Sequence, residues 1–430
     1  MDGNWPYHTI AKQGGTEETM THSPTTKALK TTKGLKSANG KRKLESWIDA
    51  FVEHTDNLES PGLFRKWAGI FTIASAMEMK TYLQTSSPLY PNLYVFIVGH
   101  PGVGKNRIIR VAKRYMSELP EFHFAPTSLT GAALVDTLAA SKRFIARLPD
   151  PPLEYYNTVI TAEELTAFMH KYDDEMVGLL SAFYDPDPYA QSRRGRDIKI
   201  KIDRPQVNLM SGTTPSNLIT LMPESAWDQG FTSRVILVHS DERIVGDDFA
   251  QETRGLDDKL VHDIKMIGAL SGEFKVTQDF RNAVNDWRAL GEPPTVNHPK
   301  LLHYKTRRRV HLYKLAMVAC ADRSDVLLLT KDDFNRAMGW LLEAEACMPD
   351  IFTAGSTGTD ARAIDEIYHH IKIADKGDGV PEHQIVNFAR SRVPMHSILR
   401  VIEIMVASGQ ITSRGTDKHG ARWFRAVTKH

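Results

Sequence analysis

Several features that would place the chain in a specialised class are scarce or missing. Only 2 of its 430 residues are cysteine, Cys320 and Cys347, which is too few for a disulfide framework, and neither has the spacing of a metal site. No apolar run approaches the roughly 20 residues of a membrane-spanning helix, and the first residues lack the apolar stretch of a signal peptide. We therefore expect a cytoplasmic protein that has no membrane partner.

The distribution of residue types is more informative than the formal net charge, which is only +2. The content of 41% apolar and 25% charged residues is ordinary for a globular chain, and the length allows two or three domains. Residues 1–43 combine lysine with Thr, Gly and Ser, so they are predicted to be a basic, disordered tail. Whether this tail contacts phosphates or is only solvated stays open. The following pattern predicts helices around Trp47 and Trp67.

The stretch 93–105 has the order strand, glycine-rich turn and lysine. Its glycines allow the backbone to curl until successive N–H groups point at phosphate oxygens, and Lys105 can reach the β- and γ-phosphates. The helical spacing after Asn106 would direct a helix N-terminus at the same anion. A nucleotide-binding loop is therefore predicted, with a chance glycine-rich turn as the alternative. The residues expected to contact the nucleotide are Gly99, Pro101, Gly102, Val103, Gly104, Lys105 and Asn106.

Candidate magnesium ligands lie at Asn106 and at the end of a later strand. A Ser or Thr normally follows the lysine of such a loop, and the amide oxygen of Asn106 would be a weaker ligand for Mg²⁺. The strand pattern at 156–162 ends in Glu163 and Glu164. In P-loop ATPases such carboxylates hold Mg²⁺ and orient the attacking water, so Glu163 is predicted as a metal ligand and Glu164 as the base. An acidic first turn of a helix is the alternative.

Two further segments supply polar residues beside predicted core strands. The strand pattern from Val207 ends near Thr213, Thr214 and Asn217, which could sense the γ-phosphate from the carboxyl edge of the sheet. Arg234 precedes the last core strand and is predicted to lie on the flank of the protomer. From there it could act catalytically on the nucleotide of a neighbouring subunit. An ordinary surface salt bridge is the alternative for this arginine.

The segment 183–202 has the pattern of a hairpin with a basic tip. A glycine-containing turn precedes a strand in which apolar and basic residues alternate. Basic residues on a projecting hairpin suit contact with the phosphates of a single strand, whereas a solvated turn with incidental arginines is the alternative. The residues predicted to contact nucleic acid here are Arg193, Arg194, Arg196 and Lys199.

In combination, these motifs resemble those of AAA+ ATPases. The segments 89–105, 211–215 and 230–234 are similar to ATPases of phages and mobile elements that act as replicative helicases or primase–helicase partners. The hairpin resembles the pre-sensor hairpin of superfamily 3 helicases. The likeness covers about residues 44–345, with departures at Asn106 and Glu163. It implies an α/β fold with a parallel sheet, a homo-oligomeric ring such as a hexamer, and translocation on single-stranded DNA during replication, in the host cytoplasm if phage-encoded.

The helical spacing after the core predicts the domain organisation. An AAA+ type P-loop NTPase core with N-terminal helices at 44–250 would be followed by an all-α lid at 251–350. The lid contains Arg307, Arg308 and Arg309, any of which could bring positive charge to the nucleotide. A basic helix face is the alternative for these three arginines.

The remaining C-terminal part is predicted to form a separate domain. Residues 351–360 have the composition of a flexible linker. Three helices and a hairpin in 361–430 resemble a winged helix, a module that binds DNA or docks a protein partner. The residues predicted to contact nucleic acid in this domain are Arg400, Lys418 and Arg422.

The leading hypothesis is an ATP- and Mg²⁺-dependent motor, namely a ring-forming phage replicative DNA helicase with a primase or another replisome protein as a partner. Two hypotheses from other classes remain open. One is a helicase loader or initiator, whose hydrolysis would respond to a protein rather than to DNA. The other is a nucleotide-gated DNA-binding module with weak ATPase activity, which the substitution at Asn106 favours.

Overall fold

The structure, a computed structural model, describes most of the chain after residue 40. The described residues are 41–147, 149–171, 173–193, 198–222, 226–227, 230–246, 254–296, 298–375, 377, 379–390, 393, 395–416 and 422–427. Residues 1–40 of the predicted tail lie outside them. Arg42 forms an ion pair of 2.7 Å with Asp325 and donates to the carbonyl oxygen of Ala321. The predicted boundary of the tail at residue 43 therefore lies inside the folded part.

Strands and helices alternate along much of the chain. The strands are β1 (Thr81–Gln84), β2 (Pro88–Leu89), β3 (Tyr94–Val98), β4 (Lys142–Arg147), β5 (Asp150–Ala162), β6 (Tyr189–Arg193), β7 (Ile198–Ile202), β8 (Pro205–Thr213), β9 (Val235–His239), β10 (Gly272–Val276), β11 (Leu328–Leu329), β12 (Val380–Pro381), β13 (Ile411–Thr416) and β14 (Arg422–Ala426). The helices are α1 (Trp47–His54), α2 (Gly62–Met77), α3 (Lys105–Ser117), α4 (Gly131–Ala140), α5 (Asp174–Ala182), α6 (Pro215–Leu221), α7 (Arg254–Gly268), α8 (Gln278–Ala289), α9 (Leu302–Arg323), α10 (Lys331–Ala374), α11 (Glu382–Ala389) and α12 (Met395–Ala407).

The central sheet has five strands in the order β4-β5-β8-β3-β9. β5, β8, β3 and β9 run parallel, whereas β4 pairs antiparallel with β5. Every residue of β3, β8 and β9 is buried, as expected for parallel strands that helices cover. Beside this sheet, Phe124 and Val159 form an isolated parallel bridge. The predicted α/β class is confirmed, and four of the five strands of the central sheet are parallel.

A second sheet shows that the prediction of an all-α lid is wrong. It has the strand order β11-β10-β1-β2, and β10 pairs in parallel with both β1 and β11. Strands β10 and β11 both lie in the predicted lid at 251–350. In β10, Phe274 is buried and Lys275 is exposed, a period-two pattern confined to a very short run. The strand forms because β1, far away in sequence, supplies its hydrogen-bonding partner.

One hydrophobic core joins the predicted core at 44–250 to the predicted lid. It extends from Trp47 to Phe352. In α1, Trp47 stacks on Phe51 with ring centroids 5.1 Å apart, and its edge meets Tyr115 of α3 at 5.7 Å. The N-terminal helices therefore pack on the sheet domain.

The C-terminal segment has a hydrophobic cluster of its own, which extends from Ile367 to Phe424. It contains α11, α12 and a sheet of order β12-β14-β13, of which β12 is not predicted from the sequence. Helix α10 runs through 351–360 without a break, so the predicted linker is wrong. Glycine and threonine there have weak helix propensity, but extending an existing helix is far easier than starting one. Packing in both hydrophobic clusters stabilises the two ends of α10.

Candidate functional site

The predicted nucleotide loop, 99–104, connects the end of β3 to the start of α3. Gly102 and Gly104 have φ angles of 85° and 74°, in the left-handed region that favours glycine. A Cβ atom on Gly104 would lie 1.7 Å from the carbonyl oxygen of Glu59, so only glycine fits this close approach. Helix α3 begins at Lys105, and its first N–H groups have no carbonyl partner within the helix. The loop thus ends on a helix N-terminus, a geometry that suits an anion.

The other residues predicted in the loop differ in exposure. Pro101 is exposed, whereas Val103 is buried. A Cβ atom on Gly99 would lie 2.8 Å from Cγ2 of Val103, so this glycine also permits a close approach. Asn106 is half-buried in the first turn of α3. Its amide is therefore near the helix start, where a loop-bound cation would need a ligand.

Lys105 is turned back towards the loop. The residue is 5% exposed, and its Nζ donates to the carbonyl oxygens of Gly99 at 2.8 Å and His100 at 2.9 Å. Burial lowers the pKa of Lys105, while the charges of Glu164 and Asp241 oppose that shift. Hydrogen bonds from an ammonium to an anionic oxygen are stronger than those to neutral carbonyls. Lys105 is therefore placed to exchange the two carbonyl groups for a phosphate.

The carboxyl ends of three parallel strands meet beside this loop. Val98 pairs with Thr213, and Ala162 pairs with Ser211, so β3, β8 and β5 end at nearly the same level. The amide of Gly99 donates to the carbonyl oxygen of Thr213 over 3.1 Å. The residues after these strands share the edge at which open α/β sheets bind ligands.

The polar residues predicted after β8 have different surroundings. Thr213 is fully buried. The hydroxyl of Thr214 caps α6 and accepts a hydrogen bond of 3.2 Å from the amide of Asn217. Asn217 itself is exposed. Its side chain is thus accessible from solvent, whereas the hydroxyl of Thr214 already has a structural role.

The two carboxylates after β5 are used differently. Both oxygens of Glu163 accept hydrogen bonds of 2.6 Å from Arg110 of α3, and these bonds lower the pKa of Glu163. Glu164 is half-buried, and its charge partly offsets the lowering of the pKa of Lys105 by burial. Arg110 already neutralises the charge that Glu163 would offer a metal ion, whereas Glu164 lies beside the loop lysine. The metal role of Glu163 and the catalytic role of Glu164 stay predictions.

Asp241, shortly after β9, is a further candidate that the sequence reasoning misses. Its Oδ2 lies 3.4 Å from Nε2 of His239 and 3.7 Å from Nε2 of His100 in the loop. Nδ1 of His239 lies 3.0 Å from the carbonyl oxygen of Val98. The sequence signal is a polar group directly after an apolar strand, and strand register is what brings that group to Lys105.

Arg234 lies at the opposite edge of the central sheet. It ends a short 3-10 helix and precedes Val235, which pairs with Tyr94 at the start of β3. Lys105 follows the end of β3, so the length of a five-residue strand, about 16 Å at ~3.3 Å per residue, separates the two levels. Arg234 is therefore remote from the loop of its own chain.

Two of the three candidate lid arginines form ion pairs with glutamates of the same chain. Arg308 of α9 is 1% exposed and donates to both carboxylate oxygens of Glu345 at 2.6 and 2.8 Å. Arg309 is partly exposed, with Nη1 3.9 Å from the carboxylate of Glu292. Arg308 therefore stabilises the interior, and Arg309 lies on the outer side of α9.

Arg307, the third candidate, lies beside Arg234. It reaches Oδ2 of Asp185 at 3.4 Å from Nη1, and Arg234 reaches the same oxygen at 3.3 Å from Nη2. Within the chain, Arg234 thus takes part in an ion pair, the alternative that its sequence position leaves open. The structure brings Arg307 to that pair rather than to the 99–104 loop.

The predicted basic hairpin is formed by β6 and β7, which pair antiparallel. Lys199 and Lys201 are exposed, Ile200 is half-buried and Ile202 is fully buried, so the predicted alternation is confirmed for these residues. Lys201 forms an ion pair of 2.7 Å with Asp203. Of the other predicted contacts, Arg194 and Arg196 lie outside the described residues, and only the backbone of Arg193 is described.

The predicted contacts in the C-terminal segment differ in availability. Arg400 is exposed on α12. Arg422 begins β14 and donates to both carboxylate oxygens of Glu382, and these hydrogen bonds raise the pKa of Arg422. Lys418 lies outside the described residues. Arg400 is therefore accessible, whereas Arg422 is engaged in an ion pair.

Metal binding by protein side chains alone finds no support in the described ranges. There, no group of three or more His, Cys, Asp or Glu side chains is arranged to hold an ion. A magnesium ion that is bound largely through phosphate oxygens and water needs only one or two protein ligands. The predicted Mg²⁺ would therefore take most of its ligands from the nucleotide and water.

Comparison with known proteins does not assign a family. Neither a scan against protein-family models nor a search of curated proteins found a match for the chain. None of the helices in the part of the chain that the structure describes is long and apolar enough to cross a lipid bilayer.

Proposed function

We propose that the chain is a P-loop ATPase that works as a motor on single-stranded DNA. The observation that carries the proposal is the meeting of the 99–104 loop, the N-terminus of α3 and the buried ammonium of Lys105. Backbone amides would bind phosphate oxygens, and Lys105 would exchange its carbonyl partners for the β- and γ-phosphates. The parallel strands that end at this edge would add Glu164 and Asn217 to the site.

ATP would supply the transferable phosphoryl group, and Mg²⁺ would neutralise the charge that develops on it. The hydrogen-bond donors at the loop fit a phosphate group, because the buried ammonium of Lys105 and the first amides of α3 lie beside it. Asn106 would offer its amide oxygen to the ion. Glu164 would accept a proton from the attacking water and orient it. Glu163, bound to Arg110, would hold the end of β5 against α3.

A homo-oligomeric ring is the assembly that the position of Arg234 supports. Because Arg234 lies at the edge opposite Lys105, a second copy in head-to-tail contact is needed to bring it to a nucleotide. Repeating such a heterologous contact closes a ring when the rotation permits. Arg234 would then stabilise the charge of the transferred phosphoryl group in the neighbour.

The hairpin and the C-terminal segment are the proposed nucleic-acid contacts. Lys199 is exposed on the β6–β7 hairpin, whose strands precede β8 at the amino edge of the sheet. The C-terminal helices, followed by the β13–β14 hairpin, have the element order of a winged helix. Arg400 on α12 would contact phosphates there, or the same segment would dock a primase or another replisome protein.

A nucleotide-gated DNA-binding module is the second candidate. The ion pair of Glu163 with Arg110 favours it, because an arginine already neutralises the charge of the expected metal ligand. Asn106, in the place of a hydroxyl, adds to this argument. Such a protein would bind ATP and change its DNA affinity with little turnover.

The deciding measurement is ATP hydrolysis by the full chain with and without single-stranded DNA, beside a titration of ATP binding. Hydrolysis that DNA stimulates supports the motor. Binding without turnover under both conditions supports the gated module, and stimulation by a replication protein alone would favour a helicase loader or initiator. A chain that does not bind ATP overturns all three functions.

The ring has its own test. Arg234→Ala should keep ATP binding but lose hydrolysis by about a thousandfold, the low end of arginine-finger effects. Mixing it with Glu164→Gln should recover some activity, because one interface then combines the intact Glu164 of one parent with the intact Arg234 of the other. Wild-type turnover by monomeric Arg234→Ala would remove both the ring and this catalytic arginine.

A further inference from the structure

Asp185, shortly after α5, gathers two arginines from distant parts of the chain. Its Oδ2 accepts from Nη2 of Arg234 at 3.3 Å and from Nη1 and Nη2 of Arg307 at 3.4 and 3.5 Å. Arg234 precedes β9, whereas Arg307 lies in α9. One carboxylate oxygen thus serves two guanidinium groups.

These contacts are poorer than the other arginine pairs of the same chain. Arg308 and Arg110 each donate to both oxygens of a carboxylate at 2.6–2.8 Å, the two-bond geometry that a guanidinium prefers. Arg234 and Arg307 make no such pair with Asp185, and their distances exceed the usual 2.7–3.2 Å range. In the described part of the chain, the buried Nε of Arg234 has no hydrogen-bond partner. Asp185 therefore leaves N–H groups of both arginines poorly satisfied.

The ring of Tyr184 positions both arginines without using their N–H groups. Each guanidinium carbon lies 5.8 Å from the ring centroid, a cation–π distance. Nζ of Lys314 lies 4.0 Å from the same centroid and donates to the side chain and carbonyl oxygen of Asn92 at 2.7 and 2.8 Å. Three basic side chains thus surround one aromatic ring, and the carboxylate of Asp185 lies beside two of them.

Helix α9 carries Arg307 and also holds the segment that carries Arg234. Arg307, His311 and Lys314 are spaced i, i+4 and i+7, so they share one face of the helix. Burial lowers the pKa of His311 to about 3, so the ring is neutral and its Nε2 donates to the carbonyl oxygen of Ser233 over 2.8 Å. Ser233 directly precedes Arg234. The segment that carries Arg234 is therefore attached to the helix that carries Arg307.

Asp185 and Arg234 line a cavity of about 350 Å³, and Arg307 reaches this cavity only through its contact with Asp185. Asp187 and Tyr189 also contribute to its wall. A phosphate group fits this volume, and it offers several oxygens where Asp185 offers one. Two acidic side chains in the wall make the cavity a poor path for a continuous DNA backbone, which needs an extended basic groove. A single terminal phosphate presented from outside fits better.

We propose that Arg234 and Arg307 form one two-arginine phosphate site, which Asp185 occupies as an intramolecular counter-ion in the separate protomer. The phosphate is the terminal one of a nucleotide bound to the 99–104 loop of a second copy of this chain. This assignment rests on the proposed ATPase function and makes Arg307 a second catalytic residue in the neighbour's site. Exchange of one carboxylate oxygen for several phosphate oxygens would let both guanidinium groups form close pairs.

The run of arginines in α9 supplies a matched control for the test. Arg307→Ala should lower kcat by about 100-fold, as expected when one group that stabilises transition-state charge is removed, and leave ATP binding unchanged. Arg309→Ala, on the outer side of the same helix, should hydrolyse ATP like the wild type. Because both arginines act on one phosphate, Arg307→Ala should lower kcat much less in the Arg234→Ala protein than in the wild type. Thermal unfolding of each variant identifies any loss that comes from misfolding.

Asp185→Asn tests the counter-ion. Without the competing carboxylate, the copies should assemble at a lower protein concentration. The concentration that gives half-maximal hydrolysis should therefore fall by up to about fivefold, which corresponds to the free energy of a partly exposed ion pair. A rise in that concentration would overturn the competition between Asp185 and the phosphate.

The outcomes separate this proposal from the function on which it rests. A folded Arg307→Ala protein with wild-type kcat overturns the two-arginine site, even if Arg234→Ala is inactive. Unchanged kcat with weaker binding of a labelled single-stranded oligonucleotide would assign Arg307 to DNA instead. A wild-type chain that hydrolyses no ATP under any condition overturns the ATPase function, and the phosphate site with it.

Discussion

The buried ion pair between Arg308 and Glu345 allows a quantitative test of how the arginines of α9 are divided between structure and function. The two residues are 1% and 4% exposed, and their N–O distances are 2.6 and 2.8 Å. Arg308→Met would keep much of the apolar stem but leave the carboxylate of Glu345 buried without its partner. Breaking a buried pair in this way costs about 3–5 kcal/mol of unfolding free energy, and we expect a loss in that range above neutral pH.

The loss should become smaller as the pH falls. Burial raises the pKa of Glu345, and the hydrogen bonds from Arg308 oppose that shift. In Arg308→Met the folded carboxyl therefore takes up a proton at a higher pH than the unfolded one, so protonation stabilises the folded variant as the pH falls through its raised pKa. Urea unfolding followed by circular dichroism, at about pH 8 and about pH 6, measures the difference.

Two variants decide whether the reasoning holds. Arg309→Met, one position further along α9 and partly exposed, should stay within about 0.5 kcal/mol of the wild type. Adding Glu345→Leu to Arg308→Met should recover most of the loss, because an apolar replacement of a whole buried pair is often neutral. Equal losses for the two single variants, or no recovery in the double variant, would refute the structural role of this pair.

Further predictions concern the loop and the hairpin. Lys105→Ala should abolish ATP binding because it removes the ammonium beside the loop, whereas Glu164→Gln should bind ATP and stop turnover; nucleotide titration and phosphate release measure both, and unchanged hydrolysis in either variant contradicts the site. Asn106→Thr should raise Mg²⁺-dependent hydrolysis because a hydroxyl replaces a weaker amide ligand; a fall in a Mg²⁺ titration would show another role for the asparagine. The hairpin variant replaces three tip arginines with alanine, namely Arg193, Arg194 and Arg196. Its slope of log affinity for single-stranded DNA against log salt should fall by up to about three times 0.7, with ATP affinity unchanged; a wild-type slope would mean that the tip is only solvated.

Local signals predict much of the secondary structure because they act over a few residues. Thr130 caps α4 by accepting from the amide of Ala133, as its position before an apolar run indicates. Thr330 and Asp333 likewise form a capping box at the start of α10. Such side chains satisfy backbone groups of their own neighbours, so sequence alone reveals them.

Local signals fail where distant partners decide. The run 272–276 lies between two helices and is too short for its sequence pattern to identify it as a strand. It becomes a strand because β1 pairs with it. The residues of 351–360 have weak helix propensity, yet they continue α10 because the helix is stabilised on both sides of them. In both cases a tertiary contact outweighs the preference of the segment.

In the candidate site, too, some features follow from local sequence and others from tertiary contacts. The order of strand, glycine turn and Lys105 is contained in one short stretch, and so are Glu163 and Glu164, because backbone conformation follows from nearby residues. The sequence does not reveal that Glu163 binds Arg110, or that Asp241 lies near Lys105.

The convergence of Arg234 and Arg307 on Asp185 is likewise a product of the tertiary structure. The three residues lie in three different segments, which strand register and the packing of α9 bring together. A sequence can show which charges a chain carries, but their partners depend on contacts between segments that are far apart along it.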